Sequence, residues 1–347
     1  MKQIIKNAII YKAHLPSLEA MQKTLDDQEF VPPISLETFS YGFVPVGETQ
    51  EKVIPLNGRY RGYAFAVRVD TKVVPASAVN EVTKRLAAEF KDRTGYPAGR
   101  KTRRELREQA ISECVAKAMC RSTIITCLYN QDDQLLFVNT TSKTMADHVM
   151  KLLIHTTSSV KTETIHVSGV SNSLTTRVTA WLADDYDGED LFAMLEPCDS
   201  ILLQNANGKI TFQMDDLLDT AAGAINLALT ENFVVKSMGL KSDLISFKLT
   251  DDFLLKGIKV IAGMEQLGYA DSYEQFQQQA HYELAELTGV VNSLVSMFEY
   301  KEPTFETAPD DSTDVPDTVT DETDEADELD DDECGDELDD YEDDDEI

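Results

Sequence analysis

The stretch "RGYAFAVRVDTKVVPASAVNEVTKRLAAEFKDR", residues 61–93, changes character at its middle. Up to Pro75 it is rich in β-branched and aromatic residues, which is typical of a strand. Beyond Pro75 the apolar residues recur at helical spacing, at Val79, Val82, Leu86 and Phe90. The stretch therefore predicts a strand followed directly by a helix, and the fold must combine both kinds of element.

The rest of the chain repeats this mixture. Turn residues in "NQDDQ" (130–134) and "NANG" (205–208) predict two hairpins. Helices are predicted at 142–156, 215–224 and 272–300, whereas "INLALTENFVVKSMGL" (225–240) is predicted as a strand. Strands linked mostly through hairpins favour an α+β fold, with mostly antiparallel sheets and flanking helices, over regular βαβ units.

The formal charge of -32 is distributed unevenly along the chain. Residues 302–347 hold 25 Asp and Glu and no Lys or Arg, which leaves residues 1–301 with a net charge of -7. Such an acidic run cannot bury enough apolar surface to offset the entropy of ordering, and its charges repel one another. We therefore expect a globular body, residues 1–301, and a disordered acidic tail, residues 302–347.

Several classes of function find no matching motif. The chain has no Walker-type phosphate loop, no GxGxxG after a strand and no GxSxG. Its five cysteines form no CxxC pair, its five histidines form no HExxH motif, and "DDYDGED" (184–190) lacks the spacing of a calcium loop. No apolar run approaches the ~18 residues of a membrane helix. The sequence predicts a cytoplasmic protein that is not an enzyme and uses no metal, cofactor or membrane.

The segment "YPAGRKTRRELREQ" (96–109) is part of a dense basic group. Three acids and nine bases give residues 84–107 a local charge of +6, the bases being Lys84, Arg85, Lys91, Arg93, Arg100, Lys101, Arg103, Arg104 and Arg107. Such density favours a polyanion site, and the scarcity of aromatic residues, Tyr96 apart, favours a duplex backbone over a single strand. The alternative is a solvated basic surface with internal pairs such as Arg104–Glu108.

The electrostatics of a predicted helix also favour a polyanion site. Thr102 and Glu105 fit a capping box, so a helix is predicted to start at Thr102. Arg103, Arg104 and Arg107 then lie near a helix N-terminus, where the macrodipole disfavours cations by about 0.3–1 kcal/mol each. A bound phosphate would reverse that conflict. We therefore predict that the nine bases contact phosphates of double-stranded DNA without reading its sequence, with weaker candidates at Arg59, Arg61 and Lys72.

Several local patterns, collinear along the chain, resemble a known family. They are "KNAIIYK" (6–12), "GFVPV" (42–46), "KVVPASAV" (72–79), "KAMCRS" (117–122), "LLFVNTTSKTMADHVMKLL" (135–153) and "FQMDDLLDTAAGAINLALT" (212–230). Through these patterns, about residues 1–300 resemble the bacterial recombination-associated protein RdgC family.

The resemblance implies a curved, multi-lobed subunit that pairs at both ends into a toroidal homodimer. The hole of that ring would be positively charged and would hold duplex DNA, with the basic group on its inner wall. The implied activity is sequence-independent DNA binding that restrains strand exchange by a RecA-type recombinase, without catalytic residues. It also implies a nucleoid-associated protein.

Two segments of this chain match, by their position, segments through which subunits of the family contact each other. Lys117, Met119 and Arg121 fall in its end-to-end contact segment, where Met119 replaces a large aromatic residue and can still fill an apolar pocket. Gln213 and Met214 stand where the family has a basic pair at its other contact. The resemblance thus implies a dimer interface that includes these five residues.

The acidic tail leaves alternatives open. It could serve solubility, compete with DNA for the basic group, or recruit a basic partner protein. The main functional alternative makes the tail the active part, a polyanion mimic that binds a DNA-processing protein while the body acts as scaffold. A second alternative is a nuclease or other metal enzyme that cleaves DNA with Mg²⁺ or Mn²⁺.

Overall fold

In a computed structural model, the chain divides into a compact unit, Met1–Thr304, and a second segment, Phe305–Ile347. The structure describes residues 3–157, 161–164, 170–183, 192, 195–214, 217–261 and 272–298. The predicted acidic tail and the acidic loop at 184–190 lie outside the described residues. All helices and strands of the described residues belong to the first unit.

Seven strands form the larger sheet: β1 (Ile9–His14), β2 (Phe39–Val44), β3 (Val53–Asn57), β4 (Arg61–Lys72), β5 (Cys120–Asn130), β6 (Leu135–Val138) and β7 (Lys161–Thr164). Their pairings are antiparallel in the order β2-β4-β5-β6-β1-β7, and β3 also pairs with β4. The predicted hairpin of β5 and β6 is confirmed, with Asn130 opposite Leu135 at its turn.

Five strands form the smaller sheet: β8 (Glu196–Gln204), β9 (Lys209–Gln213), β10 (Val234–Lys241), β11 (Ile245–Thr250) and β12 (Leu255–Val260). They are antiparallel in the order β12-β11-β10-β8-β9. The second predicted hairpin, β8 and β9, is confirmed, and the Asn205 side chain accepts hydrogen bonds from the turn amides of Asn207 and Gly208.

The described helices are α1 (Leu18–Asp27), α2 (Ala76–Thr94), α3 (Arg100–Lys117), α4 (Lys143–Thr157), α5 (Val170–Ala183), α6 (Leu217–Thr230) and α7 (Ser272–Met297). None of these helices combines the length and the sustained apolar character that crossing a lipid bilayer requires. Helices and antiparallel sheets together confirm the predicted α+β class.

The predicted strand at 225–240 is wrong in its first part. Helix α6 continues to Thr230, and β10 begins only at Val234. Within α6, Ile225 is buried together with Ala221 and Ala228, which lie four residues before it and three after it. The apolar run therefore follows the period of a helix, although its composition is typical of a strand.

The predicted start of α3 is also wrong. The helix begins at Arg100 rather than at Thr102, and Gly99 is its N-cap residue without a side-chain cap. The capping box of Thr102 and Glu105 therefore does not form, because both residues already lie inside the helix.

The central part of the larger sheet is buried on both faces. Side chains alternate along β4, so Tyr63, Phe65 and Val67 pack with α1 and α4, whereas Ala64 and Ala66 face a second core. That second core also contains buried residues of the smaller sheet and of α5, α6 and α7. The two sheets therefore share one continuous apolar core.

The N-terminal segment joins the two sheets through its backbone. Ala8 exchanges both backbone hydrogen bonds with Leu255 of β12, at 2.9 and 3.1 Å, and the Ile258 amide donates to the carbonyl of Lys6. The next residues form β1 in the larger sheet. One continuous segment is thus paired with both sheets.

A buried carboxylate holds the beginning of this segment. Glu283 of α7 is 4% exposed, and its two oxygens accept the amides of Ile4 at 2.8 Å and Ile5 at 2.7 Å. The Gln279 side chain also donates to Glu283. Burial raises the pKa of the Glu283 carboxyl, and these three donors act in the opposite direction. Each amide would be left without a partner if the carboxylate were removed.

Helix α7 also holds the turn between β3 and β4. The Asn57 amide donates to Nε2 of His281 at 2.7 Å, and the Gln277 side chain donates to the carbonyl of Pro55 at 2.7 Å. Burial lowers the pKa of His281. The neutral ring is required here, since a proton on Nε2 would oppose the Asn57 N–H.

We predict that His281 makes stability depend on pH. The unfolded chain takes up the proton near the ordinary pKa of about 6.5, whereas the folded chain resists it, so stability falls as pH drops below about 6.5. His281→Gln keeps an acceptor that cannot titrate. Urea unfolding at about pH 7.5 and about pH 5.5 should therefore show a smaller loss of stability on acidification in the variant.

His148 supplies the matched comparison, because burial also lowers its pKa. The double variant His148→Gln/His281→Gln should lose more of the acid dependence than either single variant. An unchanged acid dependence in His281→Gln would contradict the role assigned to the Asn57 contact.

Candidate nucleic-acid interface

Helices α2 and α3 form an arm that connects the paired ends of two strands. β4 and β5 stay in register from Gly62↔Asn130 to Lys72↔Cys120, and the chain between them, Ala76–Lys117, is almost entirely helical. Buried Val79, Leu86 and Ala110 form an apolar cluster separate from the two cores of the body. With 19 residues, α2 is about 28 Å long. We call this helical hairpin the arm.

All nine predicted basic residues lie between the middle of α2 and the middle of α3, a region that we call the basic half of the arm. Lys84 and Arg85 are at the middle of α2, Lys91 and Arg93 are near its end, and the other five are in the first half of α3. All nine side chains belong to exposed residues. The structure therefore brings together, at one end of the arm, the whole group that the sequence predicts.

Only two of the nine bases pair with carboxylates in the described part of the chain. Arg85 contacts Glu113 of α3 at 2.8 Å and Glu89 at 3.3 Å, so it ties the two helices together. Arg104 contacts Glu108 at 3.4 Å, as the alternative of internal pairing predicts, but both side chains remain well exposed. Seven cations without such a pair remain: Lys84, Lys91, Arg93, Arg100, Lys101, Arg103 and Arg107.

Positive charge is concentrated at the start of α3. Its first turn contains no acidic residue but does contain Arg100, Lys101 and, next to them, Arg103. Because the helix begins at Arg100, its first turn holds more cations at the positive end of the macrodipole than a helix beginning at Thr102 would. Unpaired helix amides and nearby guanidinium groups are together suited to an anion.

The three weaker candidates for DNA contact lie outside the arm, and two of them bond to other groups of the same chain. Arg61 contacts Asp132 through its side chain at 2.7 Å, and its amide donates to the same carboxylate. This pairing lowers the pKa of Asp132, with the backbone hydrogen bond from Arg61 as the largest cause. Lys72 donates to two carbonyls of the loop before β2, at 2.8 and 2.9 Å. Arg59 lies over the ring of Tyr60 at the β3–β4 turn.

The predicted end-to-end contact segment lies at the base of the arm. Met119 is 85% exposed, and its carbonyl accepts the Val73 amide at 3.1 Å. Beside it is a cavity of about 240 Å³, which the sequence did not reveal; its lining residues are Val73, Val74, Pro75, Ala78, Val82, Glu113, Cys114, Lys117 and Ala118. An exposed apolar side chain and an apolar cavity therefore lie side by side on one subunit.

Within the residues that the structure describes, the charged residues on either side of Met119 differ in whether they form an ion pair. Lys117 contacts Glu113 at 3.0 Å, and this hydrogen bond is the largest cause of the lowered pKa of Glu113. Arg121 is exposed in β5. At the other predicted contact, Gln213 is exposed but Met214 packs partly buried against the core of its own chain. The first segment is therefore the better presented of the two.

Among the described residues, no group of three or more His, Cys, Asp or Glu could hold a metal ion. The buried thiol of Cys127 has a strongly raised pKa because of desolvation. Cys198 is half-buried, and burial followed by Asp199 raises its pKa to about 12. Neither thiol has the lowered pKa of a nucleophile.

Comparisons with known proteins identify the family of the chain. A family model described as "Putative exonuclease, RdgC" matches residues 4–301. A protein of Cupriavidus pinatubonensis is 27% identical over 293 residues, which is 80% of this chain and 91% of that protein. One from Neisseria meningitidis serogroup C is 25% identical over 257 residues, 74% of this chain and 83% of that protein.

A third relative, from Janthinobacterium sp., is 30% identical over 183 residues, which is 52% of this chain and 59% of that protein. All three relatives carry the name "Recombination-associated protein RdgC". Since the family model covers nearly the whole body of the chain, this protein belongs to the RdgC family of recombination-associated proteins.

Proposed function

We propose that the chain binds double-stranded DNA without sequence preference, through the basic half of the arm. The observation that carries this proposal is the group of seven exposed cations that pair with no carboxylate in the described structure. Phosphate suits them, because guanidinium groups bind it with two hydrogen bonds and a duplex presents it at regular spacing. Contacts to phosphate position a protein on DNA without reading bases.

We further propose that the acting form is a homodimer, closed into a ring as the resemblance implies. Met119 of one subunit would fill the cavity at the base of the arm of its partner. A two-fold axis would supply two such contacts, since each subunit offers both the side chain and the cavity. Lys117 and Arg121 would flank this contact, and Gln213 and Met214 would belong to the second one.

The names of the relatives support a role in recombination. Protein bound along a duplex would restrain strand exchange by a RecA-type recombinase, because both would compete for the same DNA. We place this activity on nucleoid DNA in the cytoplasm and assign it no catalytic step.

We predict a steep dependence of duplex affinity on salt. If about six phosphates are neutralised, the logarithm of the binding constant should fall with the logarithm of salt concentration with a slope near -5. Arg103→Ala/Arg104→Ala/Arg107→Ala should weaken binding to all duplex sequences alike and make the slope shallower by about 2–3. Fluorescence anisotropy with random duplexes at several salt concentrations measures both quantities.

The matched control removes three exposed lysines of the smaller sheet, by Lys209→Ala/Lys256→Ala/Lys259→Ala. It changes the net charge equally but should leave the slope nearly unchanged. A wild-type affinity that does not respond to salt, or equal losses in the two triple variants, would contradict the arm as the DNA contact.

We predict that Met119→Asp weakens the dimer. Burying a methionine side chain contributes about 1.5–3 kcal/mol, so its loss should raise the dimer dissociation constant by about tenfold or more. Analytical ultracentrifugation over a concentration series measures this constant. Ile154→Asp, on the exposed face of α4, is the control and should leave dimerisation unchanged. If the two variants dimerise equally well, Met119 is not at the interface.

The two other candidate functions give different results in one gel-shift experiment. We expect a variant that lacks residues 302–347 to bind random duplex at least as tightly as the full chain. A polyanion mimic predicts instead that the shortened protein binds no DNA. A nuclease predicts shortened DNA products when Mg²⁺ or Mn²⁺ is added to the same reactions.

A further inference from the structure

An exposed aromatic ring stands at the outer end of the arm. The turn between α2 and α3 is formed by residues 95–99, and it carries Tyr96, which is 76% exposed. Arg93 precedes the turn and Arg100 follows it. Any polyanion held by the basic half of the arm would therefore lie close to this ring.

The turn that carries Tyr96 is well defined. Gly95 adopts a left-handed conformation, with φ of 77°, and its amide donates to the carbonyl of Lys91 at 2.7 Å. Glycine adopts this conformation without steric cost. Oγ1 of Thr94 lies 2.8 Å from the carbonyl oxygen of Phe90 and 3.1 Å from that of Tyr96. The first two residues of the turn are thus tied to α2.

Two further residues restrict the turn on its other side. Pro97 has a fixed φ and limits the backbone of the preceding Tyr96 to extended conformations. Ala98 is only 7% exposed, so the chain is anchored before α3 begins. The Tyr96 ring is therefore presented on an ordered support, which reduces the entropy that a contact would cost.

We propose that Tyr96 stacks on a nucleobase that is unpaired or unstacked, while the cations of the arm hold the surrounding phosphates. This inference rests on the proposed DNA binding and adds a contact to the base. An aromatic ring is attracted to a base through stacking, which every base permits because each has a π-face. Because cations surround the ring, a negatively charged nucleic acid is a more suitable partner for it than an apolar protein surface is.

A single ring can hold only one base, so the arm is not a platform for a long single strand. Its preferred substrate is instead a duplex with a local defect, such as a one-nucleotide bulge, a mismatch or a gap. At such a defect the base is already partly unstacked, so exposing it costs less than in intact duplex. Tyr96 would thus favour defect-containing DNA over perfect duplex.

The test compares Tyr96→Ala, Tyr96→Phe and the unchanged full-length chain on two duplexes. One duplex is fully paired, and the other has a single bulged 2-aminopurine whose fluorescence reports stacking. We expect Tyr96→Ala to bind the bulged duplex roughly 5- to 100-fold more weakly, with little loss on the paired duplex. Tyr96→Phe keeps the ring and should retain both the affinity and the change in 2-aminopurine fluorescence.

The salt slope separates this contact from the phosphate contacts. Stacking releases no counterion, so Tyr96→Ala should keep the salt slope of the wild type. The control on the same arm is Ile111→Ala, which changes an exposed apolar residue of α3 and should leave binding to both duplexes normal.

Three outcomes would overturn the inference. If Tyr96→Ala and the wild type bind the bulged duplex with equal affinity, Tyr96 makes no stacking contact. A steep salt slope would in that case still support the proposed DNA binding. A shallower slope in Tyr96→Ala assigns the residue to positioning of phosphate contacts instead. Absence of binding to either duplex by the wild-type chain overturns both this inference and the proposed function.

Discussion

The fold depends on the pairing of one N-terminal segment with two sheets. Ala8 is hydrogen-bonded to Leu255 in the smaller sheet, and β1, which begins at the next residue, lies between β6 and β7 in the larger one. The buried Glu283 carboxylate accepts the amides at the start of this segment and so attaches it to α7. Because backbone groups that are buried must find partners, this attachment fixes the two sheets and α7 to one another.

The arm is not needed for the packing of the two main cores, so its surface can serve another function. The two main cores contain no residue of α2 or α3, and buried Val79, Leu86 and Ala110 form a small cluster within the arm itself. Charges at the outer half of the arm are therefore remote from the contacts that stabilise the body. A dense positive charge, which would be costly inside the core, is tolerated there because water and salt screen it.

The sequence predicted local features better than long-range ones. The helix at 76–93 and both hairpins follow from periodicity and turn residues, and the basic group follows from the local count of charges. By contrast, nothing near Arg61 or Lys72 reveals that Asp132 and the carbonyls of a distant loop would engage them. The cavity beside Met119 was also hidden, since it forms where β4, α2 and α3 meet. For 225–240, the tertiary burial of Ile225 outweighed a strand-like composition.

The N-terminus of α3 supports the proposal that the arm binds a polyanion rather than another protein. Gly99 supplies no side-chain acceptor, and the first turn supplies cations where a stable isolated helix would place Asp or Glu. Helix stability and charge are thus opposed at this point. Under the proposed DNA binding, the opposition would disappear, because phosphate oxygens would accept from the free amides and pair with the arginines. The same phosphates would complement both ends of the turn, so binding would stabilise the tip that presents Tyr96. Order at the tip and affinity for DNA are therefore expected to rise together.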